Sequence, residues 1–148
     1  QIANIVCRDA AVRERVDRAI NINEVCDVNP FGVEALIAAY TDGGEEWLME
    51  LRKYLSDNYY MLLEFFAKHL PQLPVVRMEG TYLAWVDCSS LGEASEEIEE
   101  RLMKKNKVWV NAGSMYGKEG EHFIRINMAC PRERLEEGLR RIAEGIIS

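Results

Sequence analysis

Close cysteine pairs are absent: Cys7, Cys26, Cys88 and Cys130 stand far apart along the 148 residues. That excludes zinc ribbons and thioredoxin-like sites, which need ligands or thiols a few residues apart. Histidine is scarce, with only His69 and His122, and neither has an acid–base partner nearby in sequence. No metal site is expected. Long apolar runs are missing too. The longest stretch without Asp, Glu, Lys or Arg covers residues 108–117, short of the about 20 residues a helical membrane span requires. A basic excess is lacking, since 18 Lys and Arg face 25 Asp and Glu for a net charge of −7. Nucleic-acid binding, which relies on a positive surface, is therefore not expected. Scattered cysteines read as free thiols of a reducing compartment, and no charged-then-apolar leader opens the chain. A cytoplasmic protein without membrane association is the expectation. The chain starts at Gln1 instead of Met and reads as a piece of something longer, whose missing part could hold a targeting signal.

What is present is an ordinary globular composition, 48% hydrophobic, in a length that suits a domain burying roughly two-thirds of its unfolded surface. No linker or repeat divides it. Val12, Val16 and Ala19/Ile20 predict a helix over residues 10–20, followed by a turn-rich stretch to Gly32. Residues 33–41 predict a short helix apolar on most sides, which must be buried or face another domain; Asp42-Gly43-Gly44 breaks it. Trp47, Leu48, Leu51, Leu55, Tyr59, Leu62, Leu63 and Phe66 recur at helical steps, predicting a helix of roughly 35–40 Å that Pro71 and Pro74 close.

Four strands are predicted, over residues 75–78, 81–87, 108–110 and 122–128. Between the second and third, Ser95 is placed as the N-cap of an acidic helix, with Glu96 and Glu97 early and Lys104 and Lys105 late. Pro131 is placed at the first position of a final helix striped by Leu135, Leu139, Ile142 and Ile146. The expected fold is α+β in two layers: a small, mostly antiparallel sheet packed on helices and fed by a long helix.

Few residues single themselves out chemically. The Gly113-Ser114-Met115-Tyr116-Gly117-Lys118 loop is one residue short of GxxxxGK, and Glu119 stands where a magnesium-binding Ser or Thr belongs. It reads as a strand connection needing positive-φ residues. In the last strand Ile124, Ile126 and Met128 face the core while Phe123, Arg125 and Asn127 face away. Arg125 is then either a solvent-facing residue or a planar fork for a carboxylate. Tyr82 and Trp85 fall on opposite strand faces, so at least one belongs to the core. Cys130 precedes a helix, whose dipole can lower a thiol pKa.

Read together, four segments carry a resemblance. They are Asn29-Pro30-Phe31-Gly32-Val33-Glu34-Ala35 with Ala38-Ala39-Tyr40; Glu79-Gly80-Thr81-Tyr82-Leu83-Ala84-Trp85-Val86-Asp87; Gly113-x-x-Tyr116-Gly117; and Phe123-Ile124-Arg125-Ile126-Asn127-Met128-Ala129-Cys130-Pro131-Arg132. In this order they resemble the C-terminal part of fold-type I pyridoxal-phosphate (PLP) enzymes. The match is to the class I/II aminotransferase family and its branch of MalY- and PatB-like cystathionine β-lyases.

The resemblance implies that residues 1–28 connect to a large PLP-binding domain and that residues 29–148 form the small domain closing over an amino-acid substrate. It implies that Arg125 grips the substrate α-carboxylate and that Tyr82, Tyr116 and Asn127 line the cleft. PLP is implied in the full-length protein, as is a homodimer. The cofactor lysine lies upstream in the family, and Lys53, Lys68, Lys104, Lys105, Lys107 and Lys118 match none of its lysine contexts. No catalytic residue is therefore assigned within the chain, which alone should be inactive. The implied activity is a C–S lyase acting on cystathionine or cysteine S-conjugates. The alternatives are a class I/II aminotransferase and a non-catalytic α+β amino-acid-binding or interaction module.

Overall fold

The computed structural model describes residues 2–23, 27–41 and 43–147. Gln1, Cys26 and Asp42 of the expected helix break lie outside them. The chain divides into two compact units, Gln1–Glu50 and Leu51–Ser148.

In the first unit, α1 (Ala10–Asn21) is started by Asp9, whose carboxylate accepts from the Ala11 and Val12 amides. Helix α2 (Pro30–Tyr40) starts with Asn29 accepting from the Phe31 amide and with Pro30 in the first turn, where a missing N–H costs nothing. This apolar helix is not covered within its unit. Phe31 is 83% and Tyr40 84% exposed, and Gly32 is its only buried residue. The third helix, α3 (Gly44–His69), begins here and continues into the second unit.

The second unit holds the core. Strands β1 (Leu83–Asp87), β2 (Asn111–Ala112) and β3 (Phe123–Asn127) form an antiparallel sheet of order β1-β3-β2. Its inner face, with Ala84, Val86, Ile124 and Ile126, packs on Leu62 and Phe66 of α3. Ile98 and Leu102 of α4 (Ser95–Asn106) and Leu135, Leu139 and Ile142 of α5 (Arg132–Ile147) complete the same cluster. Each such side chain contributes about 1.5–3 kcal/mol by leaving water. The two-layer α+β fold is as expected.

Several local expectations are corrected. The strand expected over residues 75–78 is reduced to a single bridge, Val75 to Val86, held by Val76 N–H to Trp85 O and Asp87 N–H to Pro74 O, because the next amide on that side, Met78 N–H, donates to the Tyr59 hydroxyl instead of to β1. The strand expected at 108–110 lies at Asn111–Ala112, since Lys107 ends α4 in a left-handed conformation (φ 56°) and the chain reaches β3 only later. Ser95 is the first helical residue, not the cap. Ala94 takes the cap position, and its N–H donates to Glu97. Pro131 sits just before α5, where its carbonyl accepts from the Arg134 and Leu135 amides. Among the described residues no helix is long and apolar enough to cross a membrane.

Candidate functional site

The outer sheet face is where the polar and aromatic side chains gather. Strand alternation turns Ile124 and Ile126 inward, so Phe123 and Arg125 face out. The antiparallel register sets Trp85 of β1 on one side of Arg125 and Asn111 of β2 on the other. Arg125 donates from Nη2 to Asn111 Oδ1 at 2.9 Å. Its Cζ lies 4.5 Å from the centre of the Tyr116 ring, an attraction worth about 0.5–2 kcal/mol. Tyr116 meets Trp85 edge-on at 5.4 Å, and Trp85 meets Phe123 at 6.3 Å. Beside them opens a cavity of about 450 Å³ lined by Val76, Trp85, Tyr116, Glu119, Gly120 and Phe123.

Tyr116 is delivered by a 3-10 turn, Gly113–Tyr116. A Cβ on Gly113 would stand 2.4 Å from Gly120 O and 2.7 Å from Phe123 O, so the turn closes against backbone that only glycine permits. The positive φ expected of this loop occurs at Gly117 (φ 129°); at Gly113 and Gly120 the requirement is close approach. Ser95, fully buried, ties the turn to α4: its hydroxyl donates to Ser114 Oγ at 3.1 Å. Ser114, with help from the Glu96 backbone and from Ser95, holds the Glu96 carboxyl below its usual pKa.

The electrostatics of Arg125 are unusual. Among the described residues no carboxylate pairs with it, and Nε is buried without an acceptor. A partly buried guanidinium normally has a counter-charge. This one has a neutral amide, an aromatic face and donors to spare.

The other sequence candidates are not drawn into this cluster. Tyr82 is exposed, follows Thr81 in a left-handed conformation (φ 64°), and joins β3 only through its carbonyl, which accepts from Met128 N–H. Neither Tyr82 nor Trp85 is in the core, contrary to expectation: Tyr82 precedes the strand, and Trp85 lies on its outer face. Asn127 is exposed and accepts from the Ala129 amide, lining instead a separate groove with Trp109 and Arg134. Cys130 does not have a lowered pKa; burial outweighs the Arg134 charge and raises it. Cys88 is buried in the core, where burial, then the Asp87 charge, pushes its thiol up to about 12. Cys7, Cys88 and Cys130 are all free. Asn111 was not anticipated, because the strand that carries it was placed three residues early. Among the described residues no three His, Cys, Asp or Glu side chains gather as a metal site.

The likeness to known proteins covers nearly the whole chain. It is 35% identical over 142 residues to cystathionine β-lyase PatB of Bacillus subtilis, covering 96% of this chain and 36% of that protein. Protein MalY of Escherichia coli is 37% identical over 112 residues, 76% of this chain and 28% of its own length. The crystal structure of a PLP-bound putative aminotransferase from Clostridium difficile superposes with a TM-score of 0.90 at 39% identity, over 95% of this chain and 36% of that one. The chain belongs to the class I/II family of PLP enzymes.

It spans about a third of the length of these class I/II relatives and corresponds to a C-terminal part of such an enzyme. No protein-family model matches it. The residues on the outer sheet face suit the carboxylate of an amino-acid substrate and not a covalent cofactor link. The spare donors of Arg125 suit a carboxylate, whereas all six lysines are exposed, unlike the desolvated amine that forms a Schiff base.

Proposed function

We propose that the protein to which this chain belongs is a PLP-dependent C–S lyase acting on cystathionine or cysteine S-conjugates, and that this domain closes over the substrate and supplies Arg125 to hold its α-carboxylate. The observation that carries this reading is that no counter-ion pairs with Arg125 among the described residues: it is a half-buried arginine, aromatic on one side, with unused donors. A carboxylate completes it through two parallel, charge-assisted hydrogen bonds. Held there, the substrate cannot rotate, so the bond to be broken at Cα keeps a fixed angle to the cofactor plane. When bound, PLP supplies an electron sink for the charge that develops at Cα. Tyr116 lines the Arg125 side of the cleft. Tyr82 and Asn127 are assigned to its rim by their exposure and their place in the family motifs, Asn127 at the side where the groove of Trp109 and Arg134 begins.

The name of PatB supports the lyase reading; the aminotransferase reading is kept because the Clostridium difficile structure is described as one. In the same proposal residues 1–28 belong with the large domain and 29–148 form the small one, the enzyme is a cytoplasmic homodimer, and residues outside this chain hold PLP and choose between elimination and transamination. A non-catalytic module is the remaining reading. The test uses the full-length protein. Arg125→Ala should lower kcat/KM for L-cystathionine by roughly 100-fold, as expected for losing a desolvated charge-assisted pair. Pyruvate and free thiol among the products mark the lyase, and a keto acid that retains the side chain marks the transaminase. No turnover of either kind by the intact protein leaves only the binding module.

A further inference from the structure

We propose that Asn111 and Tyr116 are positioning residues that orient the guanidinium of Arg125 for the substrate carboxylate; this rests on the carboxylate role of Arg125 proposed above. An arginine side chain has several soft torsions, and a bidentate pair forms only when its plane and edge are both aligned. Two contacts impose that alignment here. Asn111 Oδ1 takes one N–H of Nη2 at 2.9 Å and sets the edge. The Tyr116 ring, with Cζ 4.5 Å from its centre, blocks one side of the guanidinium and restricts its swing. Each restraint has its own support. Asn111 is fixed by the register that places it opposite Arg125 in the sheet. The Tyr116 ring is braced edge-on by Trp85 at 5.4 Å, and its turn is tied to α4 through Ser114 and Ser95. The side chain is thus ordered on folding, before substrate arrives, and the ordering need not be done at binding.

The chemistry of the two residues matters as much as their position. Asn111 accepts without carrying charge, so it holds Arg125 while leaving the positive charge free for the substrate. An aspartate there would make an ion pair and compete with the incoming carboxylate. The hydroxyl of Tyr116 plays no part in the stacking, so phenylalanine should substitute for it.

The experiment compares an S-alkyl-L-cysteine with its methyl ester in the full-length, PLP-loaded enzyme, with PLP content and thermal unfolding recorded for every variant. Asn111→Ala and Tyr116→Leu should each raise KM for the acid about tenfold with kcat within about twofold, leaving the ester unchanged. Asn111→Asp, nearly isosteric, should raise it more than Asn111→Ala, and Tyr116→Phe, which keeps the ring, should raise it less than Tyr116→Leu. An unchanged KM for the acid in Asn111→Asp, or acid and ester falling together in the Ala and Leu variants, overturns the proposal. Arg125→Ala separates the two readings. If it leaves the acid–ester preference intact, the carboxylate role itself fails. If it abolishes the preference while the Asn111 and Tyr116 variants keep it, only the positioning role fails.

Discussion

At the scale of single residues, the second unit depends on polar groups placed where apolar ones would be expected. Asn58 is fully buried in the middle of α3, and its Nδ2 donates to the carbonyls of Met128 and Cys130 at 3.0 and 3.1 Å. These bonds fasten the chain as it leaves β3, next to the segment that carries Arg125. Nothing in the helical periodicity marks Asn58, since the partners are about 70 residues away in sequence and are supplied by packing. Asn58→Ala removes both bonds, one to a buried and one to a partly buried carbonyl, but also removes the buried, unpartnered Oδ1, so it should cost about 1–3 kcal/mol. The denaturant midpoint of the folded enzyme measures this; a loss under about 0.5 kcal/mol would mean that water or backbone movement replaces the amide.

At the scale of elements, the loop between β2 and β3 does more than connect strands. Its first glycine faces backbone oxygens on two sides, and flexible side chains are not what it would displace. Gly113→Ala should therefore destabilise by about 1–3 kcal/mol through overpacking and should also move Tyr116 off Arg125. Thermal unfolding and the KM for a carboxylate substrate should change together. A neutral Gly113→Ala would show that the loop does not hold the ring. The same dependence on neighbours explains the misplaced strands. Apolar, β-branched residues at 75–78 and 108–110 have strand propensity, but pairing requires an available edge. The first segment leaves β1 after one bridge, where Met78 N–H turns to the Tyr59 hydroxyl, and the left-handed turn at Lys107 delays the second until Asn111.

At the scale of the molecule, the second unit is complete as a core, whereas the functional site is not complete. The inner sheet face is covered by three helices, while the outer one presents a cation with no counter-charge among the described residues. None of the six lysines is withdrawn from water, so the isolated chain mixed with PLP should give no stoichiometric, saturable, borohydride-fixed cofactor. Absorbance after reduction, together with mass spectrometry, tests this; one PLP fixed on one lysine would contradict the placement of the anchor elsewhere.

Local patterns were enough to read the five helices, the inward and outward residues of β3 and the outward position of Arg125. Those features depend on steps of 3.6 and 2 residues and on the stops made by Pro and Gly, all of which are local. The four motifs, read together, also carried the family. Whether Arg125 was a solvated residue or a fork could not be read in that way. The carboxylate role proposed for it draws on Trp85 and Asn111 in register on either side, on Tyr116 beneath it, and on the lack, among the described residues, of a carboxylate paired with it. Those neighbours are 9 to 40 residues away along the chain. They meet only because an antiparallel register and a glycine-closed turn bring them there, and both are products of packing and not of local preference.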